Sequence, residues 1–145
     1  LPIYVLVGLS GRATSPLGLA FLRKQLVPKG YVVEPVRLKP NILHLDCALS
    51  PVRDGLLVVC PEALLDGLPE RLRNWDRIDV SEQEAMALAV NGLPISPSVY
   101  VTDPAFGAIG DKIARKGVAV EYLDFAVTRR FGGGFRCSTQ PLHRE

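Results

Sequence analysis

The sequence predicts a mixed α/β fold assembled from repeated strand and helix units. Short β-branched runs alternate with helix-like segments, and the alternation recurs three times at a spacing of about 45 residues. The length of 145 residues suits one domain and hardly two, and 48% apolar with 22% charged residues is the make-up of an ordinary globular chain. The expected organisation is therefore a single domain, 1–145, of three β/α modules at about 1–40, 41–84 and 85–145.

In the first module, Ile3–Val7 is a β-branched run closed by Gly8, the pattern of a buried strand followed by a turn. Leu17, Ala20, Phe21 and Lys24 then fall at helical spacing, Lys29 and Gly30 form a helix stop, and Tyr31–Val36 returns to strand character before Pro40. In the second, His44–Leu49 and Gly55–Cys60 read as strands joined by a turn at 51–54, followed by a polar helix over Pro61–Asn74 and a strand at Asp76–Val80. The third has strands at Ala87–Val90 and Val99–Thr102, a helix over Phe106–Lys116 stopped by Gly117, and a strand at Val118–Tyr122. A unit of this kind buries its apolar face only against its neighbours.

Bulk properties exclude several function classes. A net charge of +2, from 17 basic against 15 acidic residues, is too small for a nucleic-acid or anionic-membrane surface. No apolar run reaches the roughly 18 residues of a membrane span and nothing resembles a signal peptide, so a cytoplasmic location is expected. The cysteines, Cys47, Cys60 and Cys137, are odd in number and lack Cys-x-x-Cys spacing, which favours free thiols over disulfides or a zinc site. Leu1 is not an initiator methionine and strand character begins at once, so the chain is expected to start within a larger fold.

Three segments can carry chemistry. Cys137 follows Gly132–Gly134 and Phe135-Arg136; glycines admit close approach, and Arg129, Arg130 and Arg136 would favour the thiolate if they faced it. Taken alone, Cys137 has an equally simple reading as an inert, half-buried thiol in a hairpin loop, and Cys47 and Cys60, inside apolar strands, read as core. His44 and Asp46, two apart in a strand, share one face, the first suited to proton transfer and the second to a cation. His143, the second histidine, reads as exposed. Arg12, in the loop Gly8–Arg12, can hold a carboxylate with two parallel hydrogen bonds; a phosphate-binding P-loop is excluded because its lysine and glycine spacing are absent.

Together these segments resemble, in order and spacing, the C-terminal part of the guanidino-group-modifying (pentein) superfamily of dimethylarginine dimethylaminohydrolases, arginine deiminases and amidinotransferases. Val5–Arg12 is similar to the loop whose arginine grips the substrate carboxylate, His44-Leu45-Asp46 to the histidine motif of deiminases and amidinotransferases, and Gly132–Cys137 to the nucleophile segment. The resemblance implies an α/β propeller of five ββαβ modules, of which about three are here. It implies Cys137 as nucleophile, His44 as general acid/base, Asp46 on the guanidinium and Arg12 on the substrate carboxylate, with no metal or organic cofactor. Typical dimethylarginine dimethylaminohydrolases carry lysine where Asp46 stands, which argues against the plainest dimethylarginine type. In the family, the acidic partner of the histidine and a second guanidinium-binding carboxylate come from modules preceding the Arg12 loop.

The expected function is thus hydrolysis or amidino transfer on arginine or a methylated arginine through a covalent thiouronium, with a small guanidino compound as partner. The competing expectations are a non-catalytic remnant and a binder of arginine-like ligands without turnover. Open module edges would drive the remnant to self-associate as a homo-oligomer, or require a missing N-terminal portion.

Overall fold

A computed structural model describes residues 3–142; His143 lies outside the described residues. Among the described residues the eight strands are β1 (Ile3–Leu9), β2 (Tyr31–Arg37), β3 (Leu49–Arg53), β4 (Leu56–Val59), β5 (Asp76–Asp79), β6 (Leu93–Ser96), β7 (Val99–Thr102) and β8 (Ala119–Tyr122). They form three small sheets, β1-β2, β3-β4-β5 and β6-β7-β8, and the architecture is mixed α/β, with none of these sheets closed on itself. The second and third sheets share one topology, an antiparallel hairpin whose second strand pairs in parallel with the next strand in sequence. β1 and β2 repeat only the parallel half of it.

A parallel pair needs a crossover. Helix α1 (Pro16–Leu26) supplies it for β1-β2; Ser15 caps it by accepting from the Gly18 N–H, and Gly30 at φ 86° ends the turn that follows. Helix α3 (Gly107–Ala114) supplies it for β7-β8, with Gly117 at φ 80° after it. The crossover between β4 and β5 is not the helix expected over Pro61–Asn74. It is two 3-10 turns, Pro61–Ala63 and Glu70–Leu72, because Gly67 at φ 72° and Pro69, which has no N–H to give, interrupt the interior.

Two expected strands also differ. His44–Leu49 begins as a 3-10 turn at Leu45–Cys47, and β3 starts only at Leu49. The tight turn at Gly55, φ 75°, sets the hairpin register, and β4 is four residues long, so its ladder ends with the Cys60 N–H on the Ala48 carbonyl at 2.8 Å. Residues before Ala48 have no strand left to pair with. His44 and Asp46 therefore do not alternate along a strand, and Cys47 lies in a turn rather than a strand.

Ala87–Val90 is not a strand either. Ser81 and Glu84 form a capping box, the Ser81 N–H donating to Glu84 Oε2 at 2.7 Å and the Glu84 N–H to Ser81 Oγ at 3.3 Å, which starts helix α2 (Glu82–Met86). The helix ends in a left-handed Leu88, φ 71°, and the strand waits until Leu93.

The core is centred on β4, whose four residues are all buried, as a strand covered on both faces requires. Leu57, Val58, Val59 and Tyr100 are fully buried, each aliphatic contributing about 2 kcal/mol. After Val118, Phe135 is the only buried apolar side chain among the described residues, and it stands outside the main cluster. Among the described residues no helix is long and apolar enough to cross a membrane.

Candidate active site

Three segments meet around a cleft of about 670 Å³: Asn41–Cys47, the end of α2 with Leu88, and helix α4 (Ala126–Arg130) with Gly132 and Cys137. Each is fixed by identifiable contacts. Gly8, at the end of β1, admits the first, since a Cβ there would lie 2.8 Å from the Cβ of Leu45. The Ser10 hydroxyl donates to the Leu43 carbonyl at 3.1 Å. Glu82 of α2 accepts from Lys39 Nζ at 2.8 Å and Asn41 Nδ2 at 2.7 Å, and these bonds hold its carboxyl below its usual range.

Helix α4 has five residues and none buried, so it depends on its attachments. Buried Asp103 accepts from the Ala105 and Phe125 N–H groups at 2.8 and 2.9 Å and from Arg129 Nε at 3.0 Å. Burial pushes the Asp103 carboxyl up, but these donors outweigh it and hold it below its ordinary 3.8. Phe125 stacks on Phe135 with ring centroids 4.2 Å apart, joining α4 to the segment that carries Cys137.

At the cleft Cys137 is exposed, and its Sγ lies 3.8 Å from Asp46 Oδ2. Cys47, half-buried, sends its Sγ to within 3.7 Å of Asp46 Oδ1. Burial first, then the Asp46 charge, pushes the Cys47 thiol up to about 12, so at neutral pH it is a protonated donor to that carboxylate. The Asp46, Cys47 and Cys137 donor atoms lie within 4.8 Å of one another, the one such trio among the described residues. Carboxylate plus two sulfurs is the donor chemistry of a thiophilic cation; equally, an exposed thiol beside a carboxylate is suited to a cationic electrophile, held by the charge and attacked by sulfur.

The structure brings three of the four expected residues to the cleft. Cys137, Asp46 and His44 line it, although His44 stays outside the close trio. Arg12 does not line it; it is exposed in the β1–α1 loop, where its N–H donates to Ser10 Oγ at 3.4 Å. Of the arginines expected near the thiol, Arg129 and Arg130 both line the cleft, Arg129 while paired with Asp103, and Arg136 donates to the Pro51 carbonyl at 3.1 Å. Cys137 occupies an exposed turn, not a half-buried hairpin loop, and Cys47, in a turn rather than a strand, is half-buried at the edge of the core cluster.

Asn91 was not read from the sequence as a site residue. It is 1% exposed, and its side chain touches the backbone on both sides of the pair, Nδ2 donating to the Asp46 carbonyl at 3.3 Å and Oδ1 accepting from the Cys137 N–H at 3.3 Å. Its signal was a single polar residue in the apolar stretch Ala85–Pro94. The glycine run is also more specific than a flexible lead-in. Gly132 sits at φ 82°, and a Cβ on Gly134 would run into the Asn91 side chain.

No protein-family model matches the chain. Over 140 residues it is 30% identical to a putative inosamine-phosphate amidinotransferase 2 of Streptomyces griseus, covering 88% of this chain and 40% of that protein. Among solved structures, the inosamine-phosphate amidinotransferase StrB1 from Streptomyces griseus superposes with a TM-score of 0.84 at 25% identity, over 99% of this chain and 44% of that one. A dimethylarginine dimethylaminohydrolase, as its adduct with 4-chloro-2-hydroxymethylpyridine, shares the fold at a TM-score of 0.75 and 24% identity, over 92% of this chain and 51% of that one. The chain spans about half or less of the length of these proteins.

Proposed function

The chain is a member of the guanidino-group-modifying (pentein) superfamily, and from that premise we propose that it carries the nucleophile side of a site that modifies the guanidino group of arginine or a related compound. The observation that supports this most directly is the 3.8 Å approach of the Cys137 thiol to Asp46 in a cleft also lined by His44.

In this reading the Asp46 carboxylate takes the guanidinium N–H groups and sets its carbon beside Cys137 Sγ. His44 takes the thiol proton, and the thiolate adds to the guanidinium carbon, forming the C–S bond. The imidazolium protonates the departing amine as its C–N bond breaks, which leaves an S-alkylthiouronium. Water or an acceptor amine then adds while His44 takes its proton. The C–S bond breaks, the thiolate leaves, and the proton on His44 returns to it. Water gives a ureido product, and an amine gives amidino transfer. Arg12 serves the far end of the substrate only if the loop carrying it reaches the cleft when ligand is bound.

The three sheets belong, in the same proposal, to one domain that forms about three modules of a five-module propeller of ββαβ units, the first here showing only its parallel strand pair. The carboxylates that complete such a site come from the modules this chain does not contain.

The test is incubation with arginine, a methylarginine and an acceptor amine, with mass spectrometry for ureido or amidino products and for an adduct on Cys137. The expected result is an adduct that Cys137→Ser abolishes. Identical behaviour of wild type and Cys137→Ser, with neither adduct nor turnover, would sink the reading.

A further inference from the structure

We propose that Asn91 is the positioning residue that sets the spacing between the nucleophile and the guanidinium-binding carboxylate, an inference that rests on the roles given above to Cys137 and Asp46.

The Asn91 carboxamide is committed at both ends. Its oxygen accepts from the Arg136 and Cys137 N–H groups at 3.1 and 3.3 Å, and its NH2 donates to the Asp46 carbonyl at 3.3 Å. Its backbone carbonyl accepts from the Phe135 N–H at 3.1 Å, and its own N–H donates to the Leu88 carbonyl at 3.0 Å. The two groups of the proposed chemistry, 91 positions apart in the chain, are thereby tied backbone to backbone through one buried side chain.

Only a carboxamide of this length does so. It presents a donor and a two-lone-pair acceptor in one rigid plane. The reversed amide would set NH2 against two N–H groups, so the neighbours dictate its orientation. Aspartate keeps the acceptors but turns an oxygen on the Asp46 carbonyl; leucine keeps the shape and loses every side-chain bond. Glutamine is too long, since Gly134 packs so closely on Asn91 that even a Cβ there has no room.

The distinctive consequence is charge selectivity at Cys137. With Asp46 held 3.8 Å from the sulfur, a cationic electrophile is favoured over a neutral one of the same shape, by about fivefold if the site is fully solvated and by more if it is drier. The experiment compares the Cys137 alkylation rates of 2-chloroacetamidine and 2-chloroacetamide on the whole chain by peptide mass mapping. Wild type is expected to prefer the amidine, Asp46→Asn to lose that preference, and Asn91→Leu to lose it to the same extent with Asp46 intact. Should Asn91→Leu not fold, as judged by circular dichroism, Gly134→Ala, which displaces the amide from its other side, is expected to lower the preference likewise.

Wild-type selectivity retained in Asn91→Leu, or in Gly134→Ala where the first does not fold, overturns the proposal. So does a wild type with no preference for the amidine. Selectivity that depends on Asn91 in a protein that turns over no guanidino compound would instead leave the positioning role standing and remove the enzymatic reading.

Discussion

Asp46 holds a sulfur against each of its carboxylate oxygens, Cys137 at 3.8 Å and Cys47 at 3.7 Å. The two thiols share one anion but not one environment, for Cys137 is exposed and Cys47 half-buried. Burial rather than the charge is the larger reason that Cys47 stays protonated.

Limited iodoacetamide at neutral pH is therefore expected to label Cys137 well before Cys47 or Cys60. The Cys47 thiol is pushed up to about 12 and the buried Cys60 thiol is pushed up chiefly by burial, so neither supplies much thiolate. Peptide mapping at partial modification reads the order, and equal labelling of Cys47 would contradict it.

Asp46→Asn should raise the labelling rate of Cys47 by about threefold, because it removes the second cause of the raised thiol value and leaves the burial in place. A Cys47 rate that does not move would show that the carboxylate does not govern that thiol.

Asp103 makes a pH-dependent contribution whose sign follows from its lowered value. Folded, its carboxyl lies below the ordinary 3.8, so the stabilisation is complete above that value and is lost as pH falls through the folded one. Asp103→Asn is expected to cost about 2 kcal/mol at pH 7 in urea unfolding, since it leaves the partly buried Arg129 without its anion, and the deficit should shrink below about pH 3.8. A deficit that is constant from pH 7 to pH 3 would remove this account.

The three consecutive glycines should respond differently to alanine. Gly134→Ala, whose Cβ meets Asn91, is expected to cost about 1–3 kcal/mol, and Gly132→Ala about 1–2 kcal/mol for its left-handed backbone. Gly133→Ala meets only ordinary contacts, such as Ser138 Oγ at 3.5 Å, and should stay within about 0.5 kcal/mol. Thermal melts of the three variants give the ranking, and equal effects would mean that the run is a plain flexible linker.

Ser81→Ala removes one half of the capping box that starts α2 and is expected to cost about 1 kcal/mol. Because α2 has only five residues, helix content near the cleft should fall as well.

The strands β1, β2, β4, β5, β7 and β8, and the helices α1 and α3, were legible because local pattern and final structure agree there. Local pattern failed where the deciding quantity is not local. Whether His44–Leu49 is a strand depends on where β4 ends, and that is fixed by the Gly55 turn, downstream of it. Pro61–Asn74 has helical composition, but Gly67 and Pro69 decide its course. Before Ala87–Val90 the deciding signal is the capping box of Ser81 and Glu84, which starts a helix that ends too late for a strand there. At the site, the resemblance groups Cys137, His44 and Asp46, whereas Asn91 shows in the sequence only as a polar residue in an apolar stretch, and its distinction lies in which two backbones it meets.

The isolation of Phe135 from the main cluster has a bearing on the order of events in folding. A segment anchored by one ring and a few bonds to Asn91 can swing away while β4 and its neighbours keep their packing, so its opening free energy falls well short of the global value. Its contacts with Asp46 and Pro51 also span most of the chain, and such closures come late. The scaffold is thus expected to form before the Cys137 segment docks, and amide exchange at Phe135–Cys137 should report that segment independently of the core.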